Sequence, residues 1–238
     1  MNNSERNPIK RTRRPQDLAT RVHFWVVIIL GTIMSADLVL ILLELQWLNA
    51  FLTLTIMSVI LAPVILGERL PVKVPAEMQL VALIFMFAAL FLGEIRSYYD
   101  RFWWWDIALH TSSGLLLGIL GFLLVYVLNE SRNIEVHMRP RFVAMFAFLF
   151  AVAIGTLWEI FEFTMDKSFG MRMQKPMLGD PSGLTDSMWD LIVDTLGAFA
   201  ISSLGWWYMR RGTASFIESW IQKFIERNPR LFKHPAEN

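Results

Sequence analysis

The chain has 238 residues, 55% of them hydrophobic, no cysteine and a formal net charge of +1. Near-neutrality, with no basic patch interleaved with aromatics, argues against a nucleic-acid partner. The lack of Cys excludes disulfides, thiolate metal sites and cysteine nucleophiles, while a mean hydropathy of +0.43 points to the lipid bilayer as the chain's solvent.

Residues 1–21 form a basic tail carrying Lys10, Arg11, Arg13 and Arg14. No small-residue cleavage site follows the first apolar run, so the tail is expected to precede a retained span and not to be a cleaved signal. Six runs then reach the length needed for about 30 Å of hydrocarbon, at 22–43, 46–66, 76–95, 106–128, 142–164 and 187–209. Pro63 lies inside the second, where bundle neighbours can satisfy the carbonyl it frees. Gly67, Pro71 and Pro75 separate the second and third runs, the polar segment 129–141 separates the fourth and fifth, and Pro176, Gly179, Pro181 and Gly183 mark the loop before the sixth. In the tail 210–238, Phe216, Trp220, Phe224 and Ile225 share one helical face. That pattern predicts an amphipathic helix on the inner leaflet, with a partner-binding helix as the alternative. The expected fold is all-α: a six-helix transmembrane bundle, residues 22–209, plus this interfacial helix.

Lys and Arg mark the cytoplasmic side of a membrane protein. With six spans, the two termini and the 67–75 and 129–141 loops share one side and hold 17 of the 22 basic residues. The other side holds Arg96, Arg101, Lys167, Arg172 and Lys175. Both termini are therefore expected in the cytoplasm, in a bacterial inner membrane. Trp103, Trp104 and Trp105 at an outer boundary, and Trp25, Trp206 and Trp207 at inner ones, suit interfacial anchors.

Twelve of the 21 carboxylates fall in the outer half or outside, several of them within spans. A charge in hydrocarbon costs several kcal/mol, so it normally faces the bundle interior with a partner. Asp106 and His110 open the fourth span at i, i+4; Glu159 and Glu162 close the fifth at i, i+3; Asp186, Asp190 and Asp194 make an i, i+4 stripe on the sixth. Antiparallel connectivity brings all three sets to one depth, which is how bundle metal sites are built. Gly114, Gly118, Gly121 and Gly197 would let these helices approach closely. The bland readings are capping for Asp186 and Asp106 and a hydrogen-bonded interior role for His110. The remaining carboxylates need a bound cation, a protonated network or loop arginines such as Arg96 and Arg101. Asp37 on the first span either extends this cluster or is bonded on its own.

At these positions the chain resembles the YjdF-type inner-membrane proteins. The likeness runs from Tyr99-Asp100-Arg101 through His110, Trp158-Glu159 with Glu162, Gly183-Leu184-Thr185-Asp186 and Trp189-Asp190 to Asp194 and Gly197, covering roughly residues 75–209. The order of polar motifs is also similar to the VanZ-like membrane proteins, a likeness that implies an outer-leaflet, envelope-associated ligand. Glu162 and Asp194 stand where that pattern favours amides. The chain carries no repeated His boxes, no Gly-rich phosphate loop and no serine elbow.

The leading expectation is a divalent-metal-dependent hydrolase or transferase at the outer leaflet, acting on a lipid-linked or envelope substrate. His110, Glu159, Glu162, Asp190 and Asp194 would be ligands or general acid and base groups, with Asp106 joining the metal set; two clamped cations would suit phosphate-ester chemistry. A proton- or cation-coupled transporter using the same acids as a relay, and a structural or assembly protein whose polar cluster fixes helix register, are the other two classes.

Overall fold

An apolar run immersed in lipid has no water to satisfy its N–H and C=O groups, so each segment closes its own hydrogen bonds as a helix. The computed structural model describes residues 18–67, 69, 72–129, 138–211 and 216–229. Most of the basic tail, most of the 129–141 loop and the final residues of the chain, all part of the orientation argument, lie outside the described residues. Helix α1 spans Leu18–Leu43, α2 Trp47–Leu66, and α3 Ala76–Met86, continued without a break by a π-helical stretch, Phe87–Ile95. A short α4, Tyr98–Arg101, leads into α5, Trp105–Asn129; then follow α6, Pro140–Phe169, α7, Leu184–Arg211, and α8, Phe216–Arg227. Among the described residues, six helices are long and apolar enough to cross a membrane, the third being α3 with its π continuation. The protein is an all-α polytopic membrane protein.

The spans sort into two three-helix units with separate apolar cores. Val27 and Met34 of α1, Ile56 and Ile60 of α2, and Leu83, Phe87 and Phe91 of the third span form one. Ile119, Phe122 and Leu123 of α5, Ala144 and Ala147 of α6, and Ile201 of α7 form the other. Met78 of α3 packs on this second core, and α4 ties the units at the opposite end through Tyr98, whose ring meets that of Trp105 at 5.0 Å.

Small residues set the spacing of the second unit. A Cβ on Gly114 would meet the backbone of Asp194, and one on Gly197 the backbone of Thr111, so α5 and α7 touch main chain to main chain. At Gly121 a Cβ would lie 2.7 Å from the Ala147 Cα of α6. The glycine-rich face of the fourth span thus does what its composition predicts.

Three departures from the predicted elements bear on the site. Residues 87–95 are π-helical, not α-helical, with Arg96 N–H bonding Phe91 C=O at 3.0 Å; Gly93 lacks the side chain that would exclude the Tyr99 ring packed there. The fifth span runs on to Phe169, where Gly170 takes φ +65° as a C-terminal cap. Thirty residues make about 45 Å, longer than the hydrocarbon is thick. Finally, α8 packs on the bundle instead of only facing lipid: Ile221 and Phe224 are buried in the core of α5, α6 and α7. Asn228 just after it accepts from the Lys73 N–H (2.7 Å) and donates to the Lys73 C=O (2.8 Å).

Candidate functional site

The end of the bundle opposite α8 gathers the ionisable residues. α5 contributes Asp106 and His110 one turn apart, α6 contributes Glu159 and Glu162, and α7 contributes Asp186, Asp190 and Asp194. His110 is the hub. Its Nε2 lies 3.5 Å from Asp106 Oδ1 and 3.8 Å from Asp190 Oδ2, and its Nδ1 lies 3.3 Å from Asp194 Oδ2 and 3.8 Å from Glu159 Oε1. One donor atom each from Asp106, His110 and Asp190 falls within 4.8 Å of the others. That is a group able to hold a metal ion with modest rearrangement, since ligands on a small divalent cation sit about 3 to 3.5 Å apart.

Burial makes the group chemically demanding. Glu159 is 5% exposed and Asp190 1%, and both carboxylate oxygens of each are buried without a hydrogen-bond partner. Unpaired buried carboxylates are costly. Asp194 differs: Ser113 Oγ donates to its Oδ1, and it fits because Gly155 leaves room, a Cβ there falling 2.8 Å from Oδ2. Neither Ser113 nor Gly155 was a predicted site residue. Their spacing gave a faint signal, Ser113 lying three residues after His110 and Gly155 four before Glu159.

The other predicted residues are placed more peripherally. Glu162 accepts from the Trp158 indole N–H at 2.9 Å, away from the His110 hub. Asp186 is not the cap of its helix, because α7 begins two residues earlier; its Oδ2 accepts the Lys175 N–H at 2.6 Å. The cap-like work falls to Asp180, which accepts from the Ser182 N–H at 2.8 Å and from Thr185 N–H and hydroxyl at 3.0 and 2.8 Å. These donors hold the Asp180 carboxyl well below the usual carboxylate range. Asp37 stands apart from the cluster, its Oδ1 accepting from Arg96 at 2.9 Å, which commits Arg96 elsewhere. Tyr99 sits at the rim. Burial first, then the negative charge of Asp106, Glu94, Glu162 and Asp190, pushes its phenol far up, so it remains a hydroxyl.

The matched family spans all six membrane helices: residues 23–211 fit DUF2238, described as a predicted membrane protein. The chain belongs to that family. This DUF2238 protein is also 29% identical over 132 residues to an uncharacterised protein of Thermotoga maritima, an alignment covering 56% of this chain and 63% of the relative. The chain therefore spans less than two thirds of that relative's length. No solved structure matches it. Membership is consistent with the YjdF-type resemblance. Every residue of the His110 hub lies inside the matched region, whereas α8 lies beyond it.

Proposed function

We propose that this DUF2238 protein holds a divalent cation between Asp106, His110 and Asp190, and acts there as a hydrolase or transferase on a lipid-linked or envelope substrate. The carrying observation is the pair of unpartnered, buried oxygens on Asp190, gathered with Asp106 on the Nε2 side of His110. A cation held by Asp106, His110 and Asp190 would satisfy the Asp190 oxygens, which no hydrogen bond within the cluster does.

The donor geometry supports a division of labour. His110 Nδ1 faces Asp194, so a proton on Nδ1 leaves the Nε2 lone pair directed toward the Asp106 and Asp190 side. A carboxylate behind a metal-binding histidine fixes the tautomer and ring orientation and raises its basicity. Ser113 and the space at Gly155 fix Asp194 in turn. One imidazole and two carboxylates suit zinc, manganese or iron, and three protein donors leave positions for water and substrate. A cation so bound would supply Lewis acidity. Glu159, buried beside Nδ1 of His110, would be the carboxylate available to take or return a proton. The positive-inside distribution of Lys and Arg supports an outward-facing site, with both termini cytoplasmic in a bacterial inner membrane.

A relay running through the bundle is less well supported. Toward the α8 end the interior of α5, α6 and α7 is filled by Ile119, Phe122, Leu123, Ala147 and Ile201. The test is metal content and chelator-sensitive melting of the purified protein beside Asp190→Asn and His110→Gln variants. Near-stoichiometric divalent metal, lost in the variants, is expected. A metal-free wild type whose melting ignores chelation would remove the proposal.

A further inference from the structure

The segment between α6 and α7 is tied down beside the cluster. Asp166 accepts the N–H groups of Met173 and Gln174 at 2.8 and 3.0 Å, Asp186 accepts that of Lys175, and the Gln174 amide donates to Ser187 Oγ at 2.7 Å. Gly183 closes the segment with φ +81°, and a Cβ there would lie 2.6 Å from Gln174 Cβ. The consequence is a fixed position for Lys175, whose anchor Asp186 lies one turn, about 6 Å, from the metal donor Asp190.

The Lys175 ammonium has three donors. One goes to the Arg172 C=O at 2.9 Å. Glu94 stands on a second side at 3.9 Å, the outer limit of an ion pair, and the Tyr99 ring on a third, its centroid 5.3 Å away. The side chain is 21% exposed. Arg96 is engaged by Asp37, and the Lys175 charge acts on Asp106 at the rim of the hub as well as on Glu94. A long, replaceable contact to Glu94 is what a ligand anion would displace. Tyr99, kept as a hydroxyl, borders the same space.

We propose that Lys175 is the anion-binding residue of the site, holding the phosphoryl or pyrophosphoryl group of the substrate over the Asp106–His110–Asp190 cation. The inference rests on the metal reading above and adds the substrate class. An anion with several terminal oxygens meets the cation with one and the ammonium with another, which a single carboxylate does less well. Glu94 holds the ammonium in place while the site is empty of anion, and Tyr99 donates to the same oxygens.

The experiment uses the full chain in phosphatidylcholine nanodiscs, loaded with Mn²⁺, with inorganic pyrophosphate as probe. Metal content and pyrophosphate Kd are read for wild type, Lys175→Met and Lys175→Arg. We expect unchanged metal content in all three, binding about tenfold or more weaker in Lys175→Met, and partial recovery in Lys175→Arg. Equal binding by Lys175→Met, or no binding by a metal-loaded wild type, overturns the assignment and leaves the metal centre standing. A wild type that takes up no metal overturns the metal reading and this assignment with it. Nanodiscs doped with phosphatidate separate the sources. Competition with pyrophosphate marks a lipid headgroup as the ligand, and unchanged pyrophosphate binding marks a soluble phosphate; both support the phosphoryl class.

Discussion

Adding one methyl group at Gly155 should disable the proposed metal centre without unfolding the bundle. A Cβ there lies 2.8 Å from Asp194 Oδ2 and 3.3 Å from its Cγ, against an ordinary contact of 3.4 Å or more. The carboxylate must retreat by roughly 0.6 Å, a shift that overpacking studies associate with 1–3 kcal/mol. It has little room, because Oδ1 is held by Ser113 and Oδ2 faces His110 Nδ1 at 3.3 Å. Losing one such charge-assisted bond costs about 1.5–3 kcal/mol, and disturbing the partner of a metal-binding histidine lowers affinity about 10–100-fold. Better helix propensity returns at most about 1 kcal/mol. The control is Gly121→Ala, whose Cβ would lie 2.7 Å from the Ala147 Cα at the apolar end of the bundle. Competition titration of Mn²⁺ and thermal melting should show both variants destabilised, but only Gly155→Ala impaired in metal affinity. Wild-type affinity in Gly155→Ala, or equal loss in Gly121→Ala, would refute the role given to Asp194.

The Asp180 turn should be pH-sensitive in a defined direction. Its folded pKa is depressed by Ser182 and Thr185, so its contribution is fully present above the unfolded value of about 3.9 and is lost as pH falls through the lower folded value. The melting difference between wild type and Asp180→Ala should stay constant from pH 7 to about 4.5 and shrink below that; a difference that grows on acidification would contradict the hydrogen-bond assignment. The absence of native cysteine makes topology directly readable. In intact cells an impermeant maleimide should label Arg101→Cys but reach Arg211→Cys only after permeabilisation, and the reverse pattern would invert the proposed orientation.

Much of this was legible because both periodicity and charge are strong signals in lipid. Spans were readable to within a few residues, since twenty apolar residues in a row have one stable solution. The i, i+4 pairs placed Asp106, His110, Asp190 and Asp194 on inward faces, and the structure brings them together around His110. Less legible was everything decided by backbone in the 170–183 loop. Asp166 and Asp180 stood out only as outer acids, and Asp186 as a stripe member or cap, yet each organises different main-chain N–H groups. A carboxylate's partner in an irregular loop has no sequence period to announce it. The π-helical turn of residues 87–95 was equally hidden, because its apolar composition fits an α-helix as well. The docking of α8 on its own bundle was not foreseen, since an amphipathic face does not say whether lipid, a partner or the same chain covers it.

The two-unit architecture explains why the site lies where it does. Carboxylates in a membrane interior require walls that keep lipid away, and α5, α6 and α7 provide them by close packing, α5 against α7 at Gly114 and Gly197 and α5 against α6 at Gly121. The same closeness forces Asp190, Asp194, Glu159 and His110 into one small volume, where mutual repulsion makes an uncompensated state costly. The first unit is built instead on large side chains, Met34, Phe87 and Phe91, and commits its one inner carboxylate, Asp37, to Arg96. A network kept only for helix register needs no more than that single pair. Assembling four carboxylates around a histidine, with both Asp190 oxygens lacking a hydrogen-bond partner, goes beyond that pair, and the proposed cation accounts for it.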